Sequence, residues 1–565
     1  MHLAYDHYYG YAELTRSLEM MVGQHPELAS LESIGRTAQG RDIWAVTLTS
    51  AATGQPESKP AIYVDGNHHA GELVGSMVAL YTVDYLLSNY GSCPQVTRLL
   101  DQSTFYVVPR VSPDGTEHYL DSPDTLRSVP RSYPFPEWEE LEGLYPADID
   151  GDGQILLMRL QDPAGEWRVS SLDPRAMALR RPNEQGGVYY RLLPEGLIHN
   201  YDQVSVKARP PQFGIDLNRN YPNDWVVEGQ QAGSGPYPLS EAESRAVAGF
   251  VAGRPNISIG ITHHTTGGAL LVPPGSRDPR EMPPRDMEAF GLLGDIGEEL
   301  TGFPNVPLFS GFHVEKGKFN RGAFDEWLYL HRGIVSFTSE LWNLAVRAGV
   351  KLWPRTVKSH AEQEQDLVKM LRWNDQELQG EAFEAWRPFE HPQLGKVEIG
   401  GWKGKWAIQN APVKFLAAEC HKLTQWELAA AESLPRLELR GVEVRRLDQA
   451  GGLFRVTCGV YSTGYLPTSG SDYAREIKLE LPFTARLETA AGEPAAVIGG
   501  KARRELTHLP GRCGAGGLFS GYRISPPEPR EIKVSWVVEA GHGTKVRVVV
   551  ATPRAGEVRQ EIKLV

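Results

Sequence analysis

The stretch AIYVDGNHHAGELVGSMVALYTVDYLL, residues 61–87, decides how the rest of the chain is read. Its first four residues, Ala61–Val64, are apolar on successive positions, as in a strand covered on both faces. From Gly71 onward the run has a helix-like character. A strand that passes through a short polar turn into a helix is the repeating unit of an α/β sheet. The same alternation recurs from about residue 42 to 380, through DIWAVTLTS, TFYVVPRV, FGIDLN, SEAESRAVAGFVAG, NISIGITHH and GIVSFTSEL. These runs predict an α/β fold with a mixed central sheet and helices on both faces.

Moving outward, the alternation lapses between Pro130 and Pro211 into a Pro-, Gly- and Arg-rich segment. It reads as an insertion, about residues 131–212, carried on the surface of a sheet domain spanning 1–380. After EQEQDLVKMLRWNDQEL the pattern turns to β-type runs such as RLELRGVEVRRL, LFRVTCGVYST, EIKLELPFTARLET, EIKVSWVVEA and TKVRVVVATP. This spacing predicts an all-β, sandwich-like accessory domain over 386–565. A chain of 565 residues with 41% hydrophobic composition is long enough for more than one core.

The formal net charge of −12 is spread in mixed sign along the chain, which argues against a nucleic-acid partner. No run approaches the roughly 18 apolar residues of a membrane span. Cys93, Cys420, Cys458 and Cys513 are far apart and form no CxxC pair, so they read as small buried hydrophobes rather than a zinc knuckle or redox motif. The opening MHLAYDHYYGYAELTRSLEMM has no basic segment followed by a sustained apolar run, which predicts a cytoplasmic protein.

Two motifs carry chemistry directly. In GNHHAGE, His69 and Glu72 are three residues apart at the start of a helix, so they can face one side; an imidazole with a carboxylate suits zinc. In ITHHTTGG, at the end of another strand, His264 can supply a second imidazole. Two nitrogens and one oxygen leave a fourth zinc position for water, as a hydrolytic centre requires. The competing reading makes His68, His69, His263 and His264 ordinary polar residues at strand ends.

Three further motifs, SPDG at 112–115, DLNRN at 216–220 and SFTSEL at 336–341, follow in an order that resembles the zinc carboxypeptidase family. The resemblance covers roughly residues 5–380, and the long insertion with the segment HPQLGKVEIGGW looks like a bacterial branch carrying an added β-domain. It implies one zinc per chain on His69, Glu72 and His264, with His264 preferred over His263 by its spacing to Pro273. It implies Glu340 as general base and Asn218 with Arg219 as the dock for the terminal carboxylate of a peptide substrate. A guanidinium fork matches a carboxylate bidentately on physical grounds alone. By the family's spacing from Asp114, the resemblance also implies Arg127 as the cation beside the scissile carbonyl, with Arg131 and Arg159 as alternatives.

The chain departs from the family at two places. Gly71 stands where the family's ligand motif usually has an arginine. The family's mobile tyrosine would fall near Lys318, yet no tyrosine lies between Gly311 and Trp327, leaving Lys318, Phe319 or His313 for substrate closure. The same count puts Asp325 or Glu326 at the position that sets side-chain preference, which would favour a terminal Lys or Arg. In ADIDGDGQI, Asp148, Asp150 and Asp152 with Gly153 match the start of a calcium loop, but Arg159 stands at the twelfth position; calcium and a plain Asp-Gly turn both fit.

Three functions compete at this level: a metallocarboxypeptidase, a zinc amidase or deacylase acting on N-acyl amino acids or cell-wall peptides, and a non-catalytic polymer binder using Trp402, Trp406 and Trp426. HExxH and GxSxG motifs are both absent.

Overall fold

A computed structural model describes residues 3–312, 319–448, 452–479, 481–489, 494–514 and 529–565. Its centre is an eight-stranded mixed sheet ordered Ala29–Arg36, Asp42–Leu48, Thr104–Val108, Ala61–Gly66, Ile257–Thr265, Val335–Leu341, Ala269–Val272 and Asn305–Pro307. The middle four strands run parallel, and every residue of Thr104–Val108, Ala61–Gly66 and Ile257–Thr265 is buried, as expected of strands covered on both faces. Their carboxyl ends lie side by side, the edge at which open α/β sheets place ligands.

The helix Leu73–Asn89 follows the Ala61–Gly66 strand and is buried on nearly all sides. It is apolar all round because the sheet covers one face and the helix Val413–Ala431 the other. Leu416, Cys420, Leu423, Trp426 and Leu428 of that second helix join the same core as Val74, Met77 and Val78.

The domain plan differs from the sequence expectation after residue 380. The strands Phe383–His391 and Gly395–Trp402 extend a six-stranded sheet built mostly by the insertion, through Leu157–Gln161. Val397 and Ile399 pack there with Leu144, Leu156, Met158 and Ile198. Both strands have β character, but Gly395–Trp402 finds its second partner, Leu157–Gln161, across about 240 residues, and strand runs alone do not say which sheet they join. The sandwich therefore begins at Leu437, not at 386. Two four-stranded antiparallel sheets close over Val456, Trp536 and Val538 from one side and Ala485, Leu487 and Val548 from the other. None of the three tryptophans assigned to polymer binding lies in it; Trp426 is fully buried and donates to the Leu293 carbonyl at 3.0 Å.

The sandwich is docked on the sheet domain. Arg554, also buried, donates to the carbonyls of Gly333, Ser469 and Arg332, and the Asp286 carboxylate accepts from the Asp472 and Tyr473 amides at 2.8 Å each. No helix among the described residues is long and apolar enough to cross a membrane.

Candidate metal centre

The centre is assembled where the Ala61–Gly66 strand hands over to the Leu73–Asn89 helix. A Cβ on Gly66 would collide with the Gly75 backbone, and one on Gly75 would stand 2.7 Å from the His263 carbonyl. Only glycine lets the first turn of the helix sit this close to both strands. Between them Asn67 adopts φ +70°, and its amide donates to the His69 and Ala70 carbonyls at 2.7 and 3.2 Å. The turn is thereby fixed, and His69 and Glu72 face His264.

His69 Nδ1 lies 2.9 Å from Glu72 Oε1 and 3.0 Å from His264 Nδ1, and His264 Nδ1 lies 2.9 Å from Glu72 Oε2. All three side chains are buried. Donor atoms around a tetrahedral zinc with bonds of about 2.0–2.2 Å stand roughly 3.3–3.5 Å apart, so two imidazoles and a carboxylate converging this closely have the chemistry to hold the ion after opening by a few tenths of an ångström. His69 Nε2 meets Asp216 Oδ1 at 3.0 Å, the outer carboxylate contact that orients a metal-binding imidazole. A second convergence, Asp148, Asp150 and Glu195, lies in the insertion. There the Arg387 guanidinium pairs with Asp150 and with Asp152, and Arg159 pairs with Glu398 at 2.8 Å.

The charges act together. Burial pushes the Glu72 carboxyl up, but the His69 and His264 imidazoles outweigh it and hold the group well below the usual carboxylate range. Burial drives His264 down to about 4, so its imidazole is neutral at neutral pH, as a ligand must be. Against the cost of burial, Arg127, Arg219 and His69 hold Asp216 well below its ordinary value. Burial, reinforced by the negative charge of Glu72, pushes Glu340 up to about 7.

Glu340 is the direct partner of His264 in the parallel strand on one side and of Ala269 in the antiparallel strand on the other, and a Cβ on Gly267 would stand 2.6 Å from the Glu340 Cβ. Arg127 donates through Nε to Asp216 Oδ2 at 2.9 Å and lies 3.5 Å from Glu72 Oε1, with 43% of its side chain exposed and open to a ligand. Arg131 is committed elsewhere, to Glu241 at 2.6 and 2.9 Å. Asn218 accepts from the Phe324 amide through Oδ1 at 2.7 Å, and the Arg219 guanidinium donates to the Asn218 carbonyl at 2.6 Å. No carboxylate pairs with Arg219 among the described residues.

Three residues from the motifs serve the frame. Asp114 of SPDG binds Thr37, Arg41 and the Gln39 amide at 2.7–2.9 Å. His68 meets the Tyr221 hydroxyl at 2.9 Å, and His263 lies between Ser339 and Glu427 at 2.6 and 2.7 Å. At Gly71 a Cβ would strike Tyr119 and approach Gln409 to 2.8 Å, so no arginine fits the position. Asp325 accepts from Thr338 Oγ1 at 2.8 Å, while Glu326 accepts from the Gly275 amide and Ser276 Oγ; both are buried. Lys318 and His313 lie outside the described residues.

Asp216 sits inside the quoted DLNRN motif, yet the sequence reading gave it no role. Its signal was the carboxylate at the motif's first position. Asn410 and Glu427, which also support the centre, had no signal, because their contacts span more than 160 residues.

A family model described as zinc carboxypeptidase matches residues 14–135 and 194–348, enclosing the whole centre and skipping most of the insertion. The chain belongs to the zinc carboxypeptidase family. A second model, a domain of unknown function (DUF8731), matches 436–563, the sandwich. Among the similar proteins is a "zinc carboxypeptidase" of Saccharothrix mutabilis subsp. capreolus, 31% identical over 114 residues, 20% of this chain and 26% of that protein. An "inactive metallocarboxypeptidase" of Talaromyces marneffei is 25% identical over 180 residues, 31% of this chain and 30% of that protein. The matches thus span under a third of these relatives' length. The crystal structure of a carboxypeptidase A from Helicoverpa armigera aligns with a TM-score of 0.42 at 15% identity, covering 66% of this chain and 74% of that one.

Proposed function

We propose that this protein is a zinc-dependent carboxypeptidase that removes the terminal residue from peptides with a free C-terminal carboxylate. The reading rests above all on one observation: the donor atoms of His69, Glu72 and His264 converge within 3.0 Å of one another, with Glu340 as the cross-strand neighbour of His264. When bound there, zinc would act as a Lewis acid and lower the pKa of water.

The residues then divide the work. The Asn218 amide and the Arg219 guanidinium hold the substrate's terminal carboxylate, the latter as a planar two-pronged donor. Arg127, kept in place by Asp216, donates to the oxygen of the scissile carbonyl as negative charge develops on it. Glu340, pushed up to about 7, is matched to a proton relay at neutral pH: it accepts a proton from the attacking water and delivers it to the leaving amine. One relative is named inactive; the presence here of candidate ligands, base and carboxylate dock together supports activity for this chain.

Zinc analysis combined with mass-spectrometric digestion of a peptide library tests the reading. Stoichiometric zinc and the release of single C-terminal residues are expected. Cleavage restricted to N-acyl amino acids or cell-wall peptides would replace it with the amidase reading, and no cleavage with bound zinc would place the chain among inactive relatives.

A further inference from the structure

Glu72 occupies the N-cap position of the Leu73–Asn89 helix, but its carboxylate is turned to His69 and His264 and makes no cap hydrogen bond. The first amides of a helix have no partner within it and need one from outside. Asn410, 337 residues away, supplies it. Its Oδ1 accepts from Leu73 N at 2.8 Å and Val74 N at 3.3 Å, while its Nδ2 donates to the Gly71 carbonyl at 2.7 Å. Asn410 is fully buried, and its hydrogen bonds bracket Glu72 on both sides.

Glu427 does the same for the other half of the centre. Its Oε1 lies 2.7 Å from His263 Nε2, and its Oε2 accepts from Thr82 Oγ1 at 2.6 Å. His263 Nδ1 in turn meets Ser339 Oγ at 2.6 Å, and all four side chains are fully buried. His263 and Ser339 are direct partners in neighbouring strands, and the next pair along the same register is His264 and Glu340. One carboxylate therefore ties together the helix that begins after Glu72, the strand that carries His264 and, through His263 and Ser339, the strand that carries Glu340.

Asn410 and Glu427 both lie beyond residue 348, outside the segments that match the family model. We propose that Asn410 and Glu427 are positioning residues of the metal centre, through which the segment after the family match sets the zinc affinity and the turnover of the site. Neither touches substrate or metal. They hold the backbone on either side of Glu72 and the register of His264 against Glu340, and donor placement to a fraction of an ångström governs both ion binding and the geometry of the reacting atoms. The inference rests on the zinc carboxypeptidase reading.

The test measures zinc affinity by chelator competition, kcat and KM on a peptide, and melting temperature, for the full chain and its variants. Asn410→Ala and Glu427→Ala are each expected to weaken zinc binding by about 10- to 100-fold and to lower kcat with little change in KM. Glu427→Gln, which keeps an acceptor for His263, is expected to recover most of both. Leu416→Ala, on the same helix but with no polar contact to the centre, is expected to lower the melting temperature while leaving zinc affinity and kcat near the unmodified values. If Asn410→Ala fails to fold, Asn410→Asp takes its place: it keeps the acceptor for Leu73 and Val74 but no longer donates to the Gly71 carbonyl, and zinc should bind about tenfold more weakly. Wild-type zinc affinity and kcat in the folded Asn410 and Glu427 variants would overturn the inference, as would an equal loss in Leu416→Ala. If the unmodified protein itself neither binds zinc nor trims peptides, the proposed function fails instead.

Discussion

His264 and Glu340 are cross-strand partners in the parallel pair Ile257–Thr265 and Val335–Leu341, so the second imidazole of the centre and the carboxylate assigned as base are held by one sheet register. A slip of one residue would send either side chain to the opposite face of the sheet. The ladder keeps Glu340 beside His264 in the candidate metal centre without a direct hydrogen bond between the two residues.

Glu340→Gln keeps the shape of that partner and removes its basicity. A drop in kcat of about 10²- to 10⁴-fold is expected, with zinc content and KM nearly unchanged. Steady-state kinetics with metal analysis checks it, and a kcat within a few-fold of the unmodified protein would remove Glu340 from the proton relay.

Arg219→Ala acts on binding. Loss of a charge-assisted contact worth about 1.5–3 kcal/mol should raise KM by roughly 10- to 150-fold. Amidating the substrate's C-terminus should cost the unmodified protein most of its activity and make little further difference to the Arg219 variant. Equal cleavage of amidated and free-acid peptides, measured by mass spectrometry, would show that the terminal carboxylate is not recognised.

The stability of the fold should fall as pH rises from mildly acidic to neutral. Burial, with the neighbouring Asp325, pushes Glu326 up to about 7 from an ordinary value of 4.5, and burial pushes Glu243 to about 7 as well. Between the two values the folded state binds more protons than the unfolded one, so this stabilisation is complete below about 4.5 and is lost as pH climbs through 7. Glu326→Gln should flatten the decline and add up to about 3 kcal/mol at pH 8, an upper bound from the size of the shift. Urea unfolding at pH 5 and pH 8 reads it directly; an unchanged slope in the variant would place the pH dependence elsewhere.

Truncation should respect the observed boundary. A chain ending near residue 385 loses Leu416, Cys420, Leu423 and Trp426 from the main core and leaves Leu73–Asn89 uncovered, so it should be insoluble or unfolded. A chain ending at Glu432 keeps that helix and all polar contacts of the metal centre; it should bind zinc, at reduced stability because Arg554 no longer joins the sandwich to the Gly333 turn. Circular dichroism and metal analysis of the two chains separate these outcomes.

The sequence by itself determined the elements that local chemistry dictates. The buried runs at 61–66, 104–108 and 257–265 read as strands covered on both faces, and His69, Glu72 and His264, with Glu340 on the strand 335–341, fall at or beside strand ends in motifs short enough to read directly. Asn218, Arg219 and Asp216 were likewise within one five-residue motif, though only the contact with His69 reveals what Asp216 does. The tertiary structure alone decided the rest. The strands Phe383–His391 and Gly395–Trp402 have the same β pattern whether they pair with the sandwich or with the insertion, and backbone hydrogen bonding does not record its partner in the sequence. The helix Val413–Ala431 carries Glu427 on its buried side, which breaks the apolar stripe that would announce an amphipathic helix. A buried carboxylate is tolerable only where distant groups satisfy it, and Thr82, His263 and Asn410's partners at the helix start are brought together solely by the folded chain.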